Sequence, residues 1–146
     1  MSSNQLKPVR ITIMIMLALL FLQYEFGMAT IMSDITSISP FSFSITAFRS
    51  ALDHAGVVTL IHAGFGGFLV IFSVINLILA LRTKIRSIQI FGVLSFLTVL
   101  LAAHGGLRFV LSGFQDDHAS HEMATNFILS FAFFFLELYY TKPASK

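Results

Sequence analysis

Five histidines, His54, His62, His104, His118 and His121, are the residues of this 146-residue chain whose type and spacing can do chemistry. His62 and His104 lie inside long apolar runs, where an ionisable side chain is expensive and marks a functional site by default. His62 stands eight residues beyond His54, about 12 Å deeper along a helix. His104 sits at a comparable depth, counted back from Gly113. His118 and His121 are three residues apart, on one helix face, and are flanked by Asp116, Asp117 and Glu122. Two chemistries use such a set. Carboxylates with imidazoles suit zinc, copper or iron, and histidines on facing helices suit the axial positions of b-type haem. Cysteine is absent. That removes disulfides, iron–sulfur clusters, thiolate zinc and the covalent c-type haem attachment from consideration.

The surroundings favour a flat macrocycle. Gly64, Gly66 and Gly67 follow His62, while Gly105 and Gly106 follow His104; glycines thin a helix for a planar group or for a neighbouring helix. In an up-and-down four-helix bundle the second and fourth helices lie diagonally, about 11–14 Å apart if adjacent axes are 8–10 Å apart. A bis-histidine haem needs something near that separation, which pairs His62 with His121. His104 is then left with Met28 of the first helix, a histidine of a neighbouring subunit, or a hydrogen-bonding role as its partner. Arg108, one turn beyond His104, wants an anion at that depth. Haem propionates or Asp116 and Asp117 would supply it. His54 and His118 are secondary ligand candidates. The run from Asp116 to Glu122 also reads as a capped, acidic helix start, with Asp117 as the cap.

The elements that must position these residues follow from composition. Hydrophobic residues make up 56% of the chain and charged residues 11%, against roughly 25% charged in soluble domains. This excludes a disordered tail, a nucleic-acid-binding module and an ordinary soluble enzyme. Four apolar runs, at about 9–32, 55–81, 88–111 and 117–140, are each long enough to cross a bilayer as a helix. The expected fold is all-α: a single membrane domain over 1–146, four transmembrane helices in an up-and-down bundle. The first run also has the shape of a signal peptide, with Gly27-Met28-Ala29 as a passable cleavage site; it is read as a true span.

Charge sets an expected orientation. Lys7, Arg10, Arg82, Lys84, Arg86, Lys142 and Lys146 all fall at one end of such a bundle. The positive-inside rule makes that end cytoplasmic, with both termini inside. Glu25, Asp34, Asp53, Asp116, Asp117 and Glu122 fall at or towards the other end, with all five histidines in the outer half. The loop over 33–51 carries Ile35, Ile38, Phe41, Phe43, Ile45 and Phe48 around Pro40, a content that suits a segment on the membrane surface or folded over the bundle mouth. Tyr24 and Glu25 read as a proton relay, a quinol contact or interface-belt residues, and Tyr139 and Tyr140 as belt residues.

Part of the chain resembles a known family. The run Leu60-Ile61-His62-Ala63-Gly64-Phe65-Gly66-Gly67, closing at Arg82, is similar to the histidine-bearing helix of one half of a haem A synthase. Gly105-Gly106-Leu107, Leu111-Ser112-Gly113 and then His121 with Ala124 resemble the next helix pair. Members of that family consist of two four-helix halves, and the resemblance, over roughly residues 55–140, is to a single half. It implies haem held between His62 and His121. Thr59 and Ala63 stand where the family has a glutamate and an arginine, and the family's outer-loop cysteine pair is missing.

The expected function is a small b-type cytochrome holding one or two haems b per protomer near the outer face of a prokaryotic cell membrane. One-electron transfer or haem handling would be its work. The lipid bilayer, a second copy of the chain in a homo-oligomer, and a quinol or an outer redox protein are the expected partners, with no nucleic acid. Two other readings stay open. One is a haem-free transporter or structural subunit with a histidine-lined metal or proton path. The other is a haem-modifying enzyme of the haem A synthase type.

Overall fold

A computed structural model describes residues 3–32 and 44–142. The expected contributions of Asp34, of Lys146 and of the apolar residues over 33–43 lie outside the described residues. Among the described residues there are five helices: α1 (Ser3–Ile31), α2 (Ile45–Ala55), α3 (Val57–Arg82), α4 (Arg86–Leu111) and α5 (Asp117–Tyr140). No strand occurs among the described residues. Four of the helices, α1, α3, α4 and α5, are long and apolar enough to cross a membrane. Their bounds agree with the four apolar runs to within a few residues at most ends; α1 starts earlier, because Asn4 to Pro8 continue the helix.

The short turns have local causes. Between α3 and α4 the Thr83 hydroxyl donates to the Ala80 carbonyl at 2.7 Å and accepts the Ile85 N–H at 3.3 Å. Between α4 and α5 the chain reverses through Gly113, at φ 70°. Ser112 Oγ accepts the N–H groups of Gln115 and Asp116 there, at 3.1 and 3.0 Å. The cap of α5 is Asp116 rather than Asp117: its carboxylate accepts the Ala119 N–H at 2.9 Å. Both acids compete for that position, and only the path of the preceding turn chooses between them.

α2 corrects the simple four-element picture. His54, expected at the start of the second span, belongs instead to this separate amphipathic helix. Gly56, at φ 89°, breaks α2 from α3 in a region that side chains disfavour. Ala51 and Leu52 of α2 are buried against Val110, with Phe48, Ala63 and Phe114 around them. The helix is therefore folded over the ends of α3 and α4.

The four long helices form a ring. α1 packs on α3, α3 on α4, α4 on α5, and α5 on α1; the backbones of α3 and α5 do not touch, nor do those of α1 and α4. These two pairs occupy the diagonals. Val9, Ile13, Met16, Leu20, Leu69, Ala80, Ile88, Val99 and Phe134 form the shared core. Much of the outside is apolar too, with Phe21, Ile71, Leu97, Ile128 and Phe135 among the exposed residues, as lipid-facing helices require. Small residues set the closest approach. A Cβ on Gly105 of α4 would stand 2.8 Å from Met123 N and 2.9 Å from Ala119 O of α5.

Candidate functional site

His62 is the histidine that the bundle takes in. The buried face of α3 runs through Thr59, Leu69, Ser73, Asn76 and Ala80, and His62 falls on the same stripe at three- and four-residue steps. Across from it on α1 is Gln23, buried, whose Nε2 donates to the His62 carbonyl at 3.2 Å and lies 3.4 Å from His62 Nε2. That amide orientation follows from the carbonyl, which can only accept. It leaves two buried atoms without a hydrogen-bond partner, Nδ1 of His62 and Oε1 of Gln23. Buried polar atoms are nearly always paired, so an orphaned pair in one place marks an incomplete arrangement. Gly27 gives the imidazole its room, since a Cβ there would lie 3.2 Å from His62 Cε1. Gly66, on the same stripe, would meet Gln23 Nε2 at 3.4 Å.

A second polar group lies at the α4–α5 groove. Arg108 donates from Nη2 to Asp116 at 2.8 Å and from Nη1 to Glu122 at 3.1 Å. The anions that Arg108 wanted are therefore Asp116 and Glu122 within the chain, and Asp117 takes no part. His104 Nδ1 lies 3.3 Å from the other Glu122 oxygen. A carboxylate accepts, so Nδ1 carries a proton and donates to it, as in carboxylate-oriented histidine ligands. His104 is exposed rather than buried, with 57% of its side chain accessible. It stands on the rim because Gly105, beside it, takes the inward position.

The carboxyl of Asp116 is held below its usual range. The Ala119 N–H it accepts is the largest influence; partial desolvation opposes it, and the nearby Arg108 and His118 add to the depression.

The other expected ligands are not gathered. His121 is exposed. It lies about 200° around α5 from buried Ala119, at 100° per residue, and no hydrogen bond joins it to His62. His118 and His54 are exposed, and the His54 ring donates from Nδ1 to the Ser50 carbonyl at 2.7 Å. Met28 is exposed at the end of α1. Among the described residues no three His, Asp or Glu side chains converge to hold a metal ion; Asp116 and Glu122 of the run from Asp116 to Glu122 serve the α5 cap and the Arg108 ion pairs.

One polar residue pair was not foreseen. Glu137 of α5 is fully buried, and Asn76 of α3 reaches it across the bundle diagonal. An Asn in one apolar run and a Glu in another, 61 residues apart, carried the signal: both are costly in a span and find each other.

Comparison with family models, with curated proteins and with solved structures finds no match.

Proposed function

We propose that this chain is a small haem-b-binding membrane cytochrome with His62 as its inner axial ligand. The reading rests on one observation: the His62 imidazole is turned into the bundle, against Gly27 and Gln23 of α1, with a buried ring nitrogen that has no partner. An apolar helical bundle that offers a neutral imidazole and glycine-thinned walls suits a planar, hydrophobic macrocycle. Bound haem would supply a one-electron iron couple; the chain's own part is to ligate it and exclude water. The partner ligand comes from the outer rim, either His121 of the diagonal helix α5 or His104, whose ring Glu122 orients through Nδ1. Basic residues at the opposite end make that end cytoplasmic by the positive-inside rule. Electron exchange then takes place at the outer end of a prokaryotic cell membrane, with a quinol or an outer redox protein, in a homo-oligomer.

The test is an absorption spectrum of the purified protein, before and after addition of haem b. A Soret band with low-spin α and β bands is expected, lost in His62→Ala. The variants His121→Ala and His104→Ala identify the second ligand by which one turns the spectrum high-spin. An unchanged spectrum in His62→Ala overturns the assignment.

A second reading has its own observation. Asn76 and Glu137, buried together inside the bundle, fit a haem-free membrane protein that handles protons. Absence of any Soret band after haem addition would leave that reading standing.

A further inference from the structure

Glu137 is a carboxyl group in the middle of helix packing, and every side of it is accounted for. It is 0% exposed, and Asn76, at 1%, donates from Nδ2 to its two oxygens at 3.1 and 3.0 Å. From α4, Gly92 provides the space: a Cβ there would stand 3.2 Å from Glu137 Oε1 and 2.6 Å from the Ala80 Cβ of α3. Ser95 lies one turn along α4 from Gly92, fully buried, with its Oγ unpartnered. Asn76 Oδ1 is buried and unpartnered as well.

No cation answers this carboxyl. Among the described residues it forms no ion pair with Lys, Arg or His. The basic groups at this end of the surrounding elements are Lys7 and Arg10 of α1, Arg82 of α3, Arg86 of α4, and Lys84 and Lys142 in the flanking turns, all of them exposed. His62, His104, Arg108, His118 and His121 lie towards the other end. Tyr139 and Tyr140, on its own helix, are exposed too. A carboxylate held away from water needs a counter-charge, and a proton is the smallest one.

We infer that Glu137 and Asn76 form a proton-binding site inside the bundle, close to its basic end. The site has hydrogen bonds for both states. The ionised carboxylate accepts twice from the Asn76 amide, as observed. In the protonated acid the O–H needs an acceptor, and half a turn of the Asn76 amide presents the free Oδ1 where Nδ2 now stands. The balance is one proton taken up and released, with no other bond changed. Distance sets the side of exchange. Glu137 is three residues from the end of α5, and Asn76 and Gly92 are each six from the ends of their helices. These separations amount to roughly 5–9 Å along the axes.

The same α4–α5 interface carries polar side chains onward. Ser130 Oγ bonds Thr98 Oγ1 at 3.0 Å, and Thr98 in turn bonds the Ser95 carbonyl at 3.0 Å. The Asn126 carbonyl is the alternative acceptor for the one Ser130 hydroxyl proton, and the Asn126 amide donates to the Glu122 carbonyl. These side chains line the α4–α5 interface between Ser95 and the rim that holds Glu122 and His104.

The test is infrared spectroscopy of the full-length protein in lipid nanodiscs, titrated with pH in sodium-free buffer. A protonated-carboxyl stretch that appears and disappears with pH is expected, absent in Glu137→Gln. In Asn76→Ser, which keeps the acid and alters its partner, the midpoint should move by about tenfold or more in proton concentration. Sodium added at constant pH should leave the band unchanged. A band that never titrates makes Glu137 a fixed structural acid and overturns the inference. A band that sodium removes makes the ligand a metal cation and overturns it equally. Should Glu137→Gln not assemble, an unmoved midpoint in Asn76→Ser decides against the site. None of these readouts involves haem, so the cytochrome reading can fail while this one holds.

Discussion

Gly105 and Met123 bring the backbones of α4 and α5 into direct contact: a Cβ on Gly105 would lie 2.8 Å from Met123 N and 3.1 Å from its Cα. Backbone cannot move aside as a flexible side chain can. Gly105→Ala should therefore destabilise the bundle by about 1–3 kcal/mol through overpacking. Gly64→Ala is the control, since nothing lies within 4 Å of the added Cβ, and alanine should gain up to about 1 kcal/mol of helix propensity. Thermal unfolding of the two variants in the same detergent checks the contrast.

Gly27 makes a different prediction. The His62 ring occupies the place of its missing side chain: a Cβ there would crowd Cε1 at 3.2 Å. Gly27→Leu should push the ring from its place and lower haem uptake at least tenfold while the helical circular dichroism stays near that of the parent. Titration with haem b, followed at the Soret band, is the measurement. Normal uptake would show that haem binding does not depend on the place of the His62 ring.

Asp116 sets an acid limb of stability. Its carboxyl is held below the usual value of 3.8, first by the Ala119 N–H and, after an opposing desolvation, by Arg108. The folded state therefore favours the ionised form. The stabilisation this provides is complete above roughly pH 5 and is lost as pH falls through the depressed folded value. Asp116→Asn keeps a side-chain oxygen for the helix cap and removes the charge. Its stability should fall less than the parent's below pH 4, and unfolding midpoints measured across that range should converge on the acid side.

Asn76 and Glu137 predict an asymmetry between single and double variants. Asn76→Leu leaves the carboxyl buried without its donor and should cost about 1–3 kcal/mol. Asn76→Leu with Glu137→Leu removes both polar groups and should recover most of that loss. Equilibrium unfolding of the two variants and the parent decides it. A double variant less stable than the single would mean that Glu137 is held by more than Asn76.

The sequence by itself determined the class of the molecule and the axial position of each residue. Length, hydropathy and terminal charge are local properties, so the four spans, their turns and the clustering of histidines in one half of the chain's long helices could be read directly. The rotation of each helix was a different matter. These helices are apolar nearly all round, and an apolar stripe that would tell inside from outside is missing. His62 and His121 were paired from the linear chain; packing turned the first inward onto Gln23 and left the second exposed. His104 was expected to be buried, yet Gly105 holds the inward position because only glycine fits against Met123. The same holds for Arg108, whose partners Asp116 and Glu122 lie on opposite sides of Asp117, and for Asn76 and Glu137, which meet across a diagonal. In a bilayer, lipid offers apolar side chains what a neighbouring helix offers, so helix faces are chosen by small residues and polar pairs. Those are pairwise, long-range relationships, and only the assembled bundle decides them.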